Sequence, residues 1–113
     1  MTTIKVSKKN GKFTEIKAVG HTGYSEEGTD ILCASVSTLI QSTALGLIKL
    51  VSKDVELYVN EITPEFKIII PTNLSSSQYS QAELLIKSCL LGLEDLASGY
   101  PKNLKMEVKN DVY

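Results

Sequence analysis

The sequence of 113 residues contains no tryptophan, only one histidine and only two cysteines. Two cysteines cannot form the framework of several disulfides on which many small secreted domains depend. One histidine and two cysteines are also too few to supply the four ligands of a structural zinc site. We therefore expect neither a disulfide scaffold nor a metal site, and we predict no cofactor.

Neither sign of charge is in excess, because 12 basic and 13 acidic side chains give a net charge of −1. Without a basic field, direct binding of nucleic acid is not expected. The first residues lack the apolar segment of a signal peptide. Polar residues interrupt the longest uncharged run, Ile31 to Ile48, so we interpret it as a core helix and expect no membrane partner. These patterns predict a cytoplasmic protein with reduced thiols.

The amount of apolar sequence is typical of a folded domain. Hydrophobic residues make up 42% of the chain and charged residues 22%, which argues against disorder. About 100–150 residues is the usual size of one domain. Since no linker or repeat divides the chain, we predict a single domain over residues 1–113.

Two periodicities predict an α/β fold. Five strands are predicted, and in four of them apolar and polar residues alternate, as in half-buried strands. Asn10-Gly11 favours a type I′ turn between the first two. Two longer segments have the spacing of helices. The order ββαββαβ predicts a two-layer sandwich with two helices packed on a small mixed sheet. The five predicted strands are located at Thr2-Ile4-Val6, Lys12–Val19, Val55-Leu57-Val59, Phe66-Ile68-Ile70 and Leu104-Met106-Val108.

Capping residues predict where the two helices begin and end. Asp30 is a suitable N-cap for a first helix over Ile31–Val51. The second helix follows a capping box, either Ser75 with Gln78 or Ser80 with Glu83. Gly99 is predicted to follow its last turn. The core stripe of the first helix is predicted to be Val36, Ile40, Thr43, Leu47 and Leu50, and that of the second Tyr79, Ala82, Ile86, Cys89, Leu93 and Leu96.

The histidine and one cysteine flank the same glycine-rich loop. His21 follows the second strand, and Cys33 lies in the predicted first turn of the helix that the loop enters. Helix N-terminal N–H groups stabilise a thiolate, and a nearby imidazole can activate it. This spacing predicts a Cys33–His21 dyad. The alternative is that Cys33 is a small core residue and His21 is exposed on a loop. Cys89 lies on the apolar stripe and is interpreted as structural.

The segment Gly20 to Ser37, G-H-T-G-Y-S-E-E-G-T-D-I-L-C-A-S-V-S, resembles the signature of the ribosomal-processing cysteine protease family, also called Prp or YsxB-like. The family motif is approximately G-H-A-G-Y-x-x-x-G-x-D-I-V-C-A-A-V-S. The glycines, His21, Tyr24, Asp30, Cys33 and Ser37 match. Thr22, Leu32 and Ser35 differ from it, and the hydroxyls of Thr22 and Ser35 are expected near the site.

The resemblance implies that Cys33 is the nucleophile and His21 its general base and acid. It implies supporting roles for Gly20, Asp30 and Ser37. It also implies a homodimer that removes a short N-terminal extension from a large-subunit ribosomal protein, after an aromatic residue. Asp30 can be a third catalytic residue or only a helix cap. The loop residues expected to contact substrate are Gly23, Tyr24, Glu26, Glu27 and Gly28.

Charge on the loop fits such a substrate, because ribosomal proteins are generally basic. Glu26 and Glu27 would attract a basic chain and increase its rate of association. Two other functions remain open at this point. One is a thiol acyl-transferase or thioesterase that uses the same dyad. The other is a non-catalytic ribosome-assembly scaffold that dimerises through its apolar first helix.

Overall fold

The computed structural model describes residues 1–20, 27–60, 62 and 65–111, with the backbone alone for residues 27–30. The elements follow the chain in the predicted order ββαββαβ. A single π-helical turn, Leu47–Val51, continues the first helix. The elements are β1 Thr2–Lys9, β2 Lys12–Val19, α1 Glu27–Gly46, β3 Glu56–Asn60, β4 Glu65–Ile69, α2 Ser76–Gly99 and β5 Leu104–Asn110.

The five strands form one mixed sheet in the order β3-β4-β2-β1-β5. β1 pairs in parallel with β5, and the other neighbours are antiparallel. Asn10 and Gly11 have φ angles of 52° and 77°, as a type I′ turn requires at its two central residues. The predicted β1–β2 hairpin is therefore confirmed, and so is the predicted two-layer sandwich.

The core lies between the sheet and the two helices. Thr2, Ile4 and Val6 of β1 and Ile16 and Ala18 of β2 are buried, whereas the residues between them are not, so one face of these strands contributes to the core. Helices α1 and α2 approach closely at Gly92, where an added Cβ would lie 3.2 Å from a methyl of Leu39. The largest fully buried side chains are Ile4, Val6, Ile16, Leu32, Ile40, Leu47, Ile68, Ile86, Leu93 and Leu104.

Helix α1 begins four residues before the predicted start. It includes Asp30, which is therefore not its N-cap, and the segment 27–30 is helical rather than part of the predicted loop. Acidic residues are favourable throughout the first turn of a helix because of its dipole, so an aspartate alone does not mark the first residue. Cys33 is consequently the seventh residue of α1 and lies in its second turn, not in its first.

The C-terminal end of the first helix also differs from the prediction. The Ser52 N–H donates to the Leu47 carbonyl at 2.9 Å, five residues back, so the last turn is wider than an α-helical turn. The wider turn rotates Leu50 away from the core, where it is 76% exposed. Val51 packs against the core instead. Thr43 is half-buried, and Ala44 occupies the fully buried position beside it.

The segment Ile31–Val51 is long and apolar enough to cross a membrane by length and composition alone. In the fold its apolar stripe covers the sheet, with Leu32, Val36 and Ile40 each at most 4% exposed. Packing of one face on a sheet is what a core helix requires. The interpretation of this segment as a core helix is therefore consistent with the structure.

Helix α2 begins at the predicted capping box. Ser75 accepts a hydrogen bond from the Gln78 N–H at 3.1 Å, and Gln78 Oε1 accepts one from the Ser75 N–H at 3.0 Å. The predicted apolar stripe is buried at its four central positions. The prediction for Gly99 was wrong: it is the last residue of α2, and Tyr100 is the C-cap. Pro101 follows at once, so proline rather than glycine geometry ends this helix.

Candidate active site

A cavity of about 260 Å³ lies between the first half of α1 and the sheet. Three of the residues that line it, Gly20, Cys33 and Ser37, were predicted from the sequence to belong to the site. The structure thus brings together residues that are up to 17 positions apart in the sequence. The remaining lining residues are Thr2, Ala18, Val36 and Phe66.

Helix geometry places the predicted nucleophile and Ser37 on the same side. Residues four apart on an α-helix lie above one another, and Cys33 and Ser37 both line the cavity and are half-buried. Neither Cys33 nor Cys89 is in a disulfide. A thiol that is partly exposed in a cavity is accessible to a substrate, as a nucleophilic cysteine must be.

The end of β2 places the residue before His21 in the same cavity. Gly20 has a φ angle of +94°, and a Cβ at this position would lie 2.6 Å from the carbonyl oxygen of Met1. Only glycine has both the backbone freedom and the small size for this close approach. The chain therefore leaves the strand at a fixed point, and the next residue in the sequence is His21.

The apolar part of the cavity was not predicted. Residues along this edge become smaller, from Ile16 and Ala18 in β2 to Gly20 directly after it, and this leaves space under the helix. Phe66 lies opposite Ala18 in the register of β4 and β2. The decrease in side-chain size along β2 is a sequence signal, but its position beside Cys33 follows only from the packing of α1.

Several predicted site residues lie outside the described part of the chain. His21, Gly23, Tyr24 and Glu26 are not among the described residues. Their roles remain predictions. The side chains of Glu27, Gly28 and Asp30 also lie outside the description, although the backbone of these three residues belongs to α1.

Ser35 does not contribute to the cavity, contrary to the prediction. Its hydroxyl donates to the Ile31 carbonyl at 2.8 Å, and it lines a groove between α1 and α2 instead. The reason is the helical rotation: a residue two positions from Cys33 points to a different side of the helix.

Cys89 has a structural environment, as predicted. It is 4% exposed, and its thiol donates to the Leu39 carbonyl at 3.7 Å. Burial raises the pKa of the Cys89 thiol, because the charged form loses its hydration. This cysteine is therefore inert compared with a partly exposed one. Within the described residues, no cluster of three or more His, Cys, Asp or Glu side chains is suited to hold a metal ion.

Helix α1 supports a thiolate at Cys33 less than the sequence predicted. The N–H groups without helical acceptors belong to the first turn, and the effect of the dipole also falls off within that turn. Cys33 is one turn further along. The N–H groups without helical acceptors thus do not include that of Cys33 itself.

The sequence matches the family model of the cysteine protease Prp over residues 1–105. It is 28% identical over 87 residues to the ribosomal processing cysteine protease Prp of Bacillus subtilis, covering 77% of this chain and 78% of that protein. It is 26% identical over 100 residues to the protein of the same name from Staphylococcus aureus, covering 88% of this chain and 90% of that protein.

Solved structures have the same fold. The crystal structure of the ribosomal processing protease Prp of S. aureus with a substrate peptide superposes with a TM-score of 0.81, at 23% identity and over 96% of this chain and 100% of that one. A protein from Streptococcus mutans superposes with a TM-score of 0.80, at 25% identity and over 97% of this chain and 95% of that one. Since the family match spans nearly the whole sequence, this chain belongs to the Prp family and is a cysteine protease.

Proposed function

We propose that this protease removes a short N-terminal extension from a large-subunit ribosomal protein, with Cys33 as nucleophile and His21 as general base and acid. The observation that carries the proposal is the shared cavity of Cys33, Ser37 and Gly20. Gly20, which lines this cavity, directly precedes His21, the only histidine of the sequence. The names of the B. subtilis and S. aureus relatives, which are ribosomal processing proteases, support the class of substrate.

The chemistry follows from a thiol and an imidazole at one site. His21 takes the Cys33 proton, and the thiolate sulfur attacks the carbonyl carbon of the scissile peptide bond. The C–N bond then breaks, and the proton on His21 goes to the leaving amine. The resulting thioester is hydrolysed by water, which His21 deprotonates, and the thiol is regenerated.

Activation of Cys33 depends mainly on His21 in this proposal. The position of Cys33 in the second turn of α1 leaves only a small contribution from the helix dipole. A neighbouring imidazolium then has to supply most of the stabilisation of the thiolate. Substitution of His21 is accordingly expected to reduce both the cleavage rate and the reactivity of Cys33.

The apolar wall of the cavity fits an apolar substrate residue next to the cleaved bond. Ala18, Val36 and Phe66 lie beside Cys33. Transfer of an aromatic side chain from water to such a surface is favourable. Contact between two aromatic rings adds a further stabilisation beyond that of the buried area. We assign supporting roles to Ser37 in this cavity and to Asp30.

The segment between β2 and α1 and the first residues of α1 are proposed to contact the peptide. The residues are Gly23, Tyr24 and Glu26 of the segment, and Glu27 and Gly28 at the start of the helix. Glu26 and Glu27 would attract a basic ribosomal protein, which raises the association rate at low ionic strength. Replacing both by Gln should slow cleavage at low salt and have less effect at high salt. A cleavage rate that is unchanged at low salt would contradict this role.

We also propose that the protein is a homodimer. Helices α1 and α2 expose large apolar side chains, among them Ile31 at 63% and Leu91 at 67%. Apolar groups exposed together often mark an interface. Sedimentation analysis at micromolar concentration should give twice the chain mass of 12.4 kDa, and a monomer there would contradict the proposal.

A cytoplasmic location completes the proposal. Ribosome assembly takes place in that compartment, and its reducing conditions keep a nucleophilic thiol active. Fractionation of cells should recover the activity with the soluble cytoplasmic proteins. Recovery in a membrane or exported fraction would contradict this location.

Mass spectrometry of a candidate ribosomal protein tests the activity directly. Incubation with the wild-type enzyme should remove an N-terminal fragment that ends in an aromatic residue, and Cys33→Ala should leave the substrate intact. Cys89→Ala is the matched control, because it removes the other thiol and should retain cleavage. Cleavage by Cys33→Ala, or release of no fragment by the wild type, would overturn the proposal.

A further inference from the structure

Thr2 is the one polar residue that is buried among the described residues, with 5% of its surface exposed. It is the first residue of β1, and it alternates with Ile4 and Val6 on the core side of the strand. A buried hydroxyl without a partner is costly. Valine has nearly the same shape and fits this pattern without a polar group. The hydroxyl therefore needs an explanation other than packing.

The hydroxyl has a specific partner. Thr2 Oγ1 donates to the Gly20 carbonyl oxygen at 3.3 Å. The Thr2 backbone is held independently, because its N–H donates to the Asn103 carbonyl at 2.9 Å. The Thr2 backbone is thus fixed beside the start of β5, while the Thr2 side chain reaches the residue that follows β2. Thr2 and Gly20 also both line the cavity that contains Cys33.

The Gly20 carbonyl is half of the peptide unit that joins Gly20 to His21. A peptide unit is planar, so the direction of the carbonyl also determines the direction of the following N–H and Cα. Glycine offers little resistance to rotation about its own φ and ψ angles. A hydrogen bond can restrict this rotation, and within the described residues the Thr2 hydroxyl donates one to the Gly20 carbonyl.

We infer that Thr2 is a positioning residue for the proposed dyad: its hydroxyl holds the Gly20 carbonyl and with it the plane of the peptide bond that leads to His21. The inference rests on the proposed dyad. A misplacement of about 1 Å can cost on the order of 100-fold in rate. Since one long hydrogen bond allows a smaller displacement, we expect a loss of roughly tenfold when it is removed.

Two substitutions separate positioning from packing. Thr2→Val keeps the shape and removes the donor, and it should reduce kcat about tenfold with little change in KM. Thr2→Ser keeps the donor and removes a buried methyl, so it should retain most of the kcat although it unfolds at a lower urea concentration. Intact masses confirm that the three proteins have the same N-terminus. Wild-type kcat in Thr2→Val, or activity that follows stability in both variants, would overturn the inference.

A measurement without substrate separates this inference from the proposed function. The rate at which iodoacetamide labels Cys33, followed by peptide mass spectrometry from pH 5 to 9, reports the coupling of the thiol to the imidazole. Thr2→Val should shift this pH profile, and Thr2→Ser should not. If the wild type cleaves no substrate, the proposed function fails. A pH profile of labelling that is shifted in Thr2→Val but not in Thr2→Ser would still support the positioning role of Thr2. Identical profiles in the three proteins would refute it.

Discussion

Gly20→Ala tests whether the end of β2 is held as tightly as the structure shows. Alanine at a φ of +94° is in the left-handed region, which costs roughly 1–2 kcal/mol for a residue with a Cβ. The new Cβ would also lie 2.6 Å from the Met1 carbonyl oxygen. That oxygen belongs to the backbone, so relief requires the start of β1 to move. We expect a total loss of about 2–4 kcal/mol in the free energy of unfolding.

Gly11→Ala is the matched control. Gly11 also has a positive φ, of +77°, but an added Cβ there meets nothing within 4 Å. Gly11→Ala should therefore lower the free energy of unfolding only through the strain of alanine at a positive φ. Alanine also reduces the entropy of the unfolded chain, which offsets part of this strain, so the expected loss is about 1 kcal/mol. The difference between the two variants isolates the contact with Met1.

Urea unfolding and peptide cleavage are the two measurements. Gly20→Ala should be less stable than Gly11→Ala by at least about 1 kcal/mol, which corresponds to roughly 3–6 °C in Tm for a chain of this size. It should also lose cleavage activity at temperatures where it is still folded, because it moves the residue bonded to His21. Equal stabilities in the two variants, or full activity in Gly20→Ala, would refute this reasoning.

Three further predictions concern the core and the cavity. Tyr79→Phe removes the acceptor of the partly buried Phe13 N–H hydrogen bond of 2.7 Å, and it should lower the free energy of unfolding in urea by about 1–3 kcal/mol. Tyr58→Phe removes an exposed hydroxyl and should change stability by less than about 0.5 kcal/mol. Equal effects of the two substitutions would argue against a stabilising role of the Phe13–Tyr79 bond. Ala18→Val places two more methyl groups in the cavity. The rate of peptide cleavage should fall at least about tenfold, while Tm stays equal or rises. A normal cleavage rate would show that the substrate does not occupy this space. Burial raises the pKa of the Cys89 thiol. At a pH above the ordinary thiol pKa, the thiol has therefore ionised in the unfolded chain but is still protonated in the folded one. The free energy of unfolding should then decrease as the pH rises. Cys89→Ala should lack this part of the decrease in urea titrations at alkaline pH, and identical slopes in both proteins would contradict the assignment.

Local sequence signals predicted most of the fold. The alternation in Thr2-Ile4-Val6, the Asn10-Gly11 turn and the Ser75–Gln78 capping box each depend on residues within a few positions of one another. Interactions of this range are encoded locally, so their identification needs no knowledge of distant contacts. The order of elements and the sandwich follow from them.

The ends of helices were less predictable. Asp30 suits both an N-cap and a first turn, so it did not distinguish a start at Ile31 from the observed start at Glu27. The π-helical turn at Leu47–Val51 exchanges Leu50 for Val51 at the core. Both outcomes depend on how the helix ends fit their surroundings, and a regular 3.6-residue period does not contain that information.

The sequence by itself determined the chemistry available to this protein. It contains one histidine, so a dyad has one possible base, and the motif around His21 and Cys33 indicated the Prp family. Only the tertiary structure decided which residues surround the thiol. Thr2, Ala18 and Phe66 lie on three different strands, and they meet Cys33 because sheet register and helix packing bring distant segments to one end of the core. Such long-range contacts arise from the burial of the whole apolar surface, and for that reason no short segment of the chain records them.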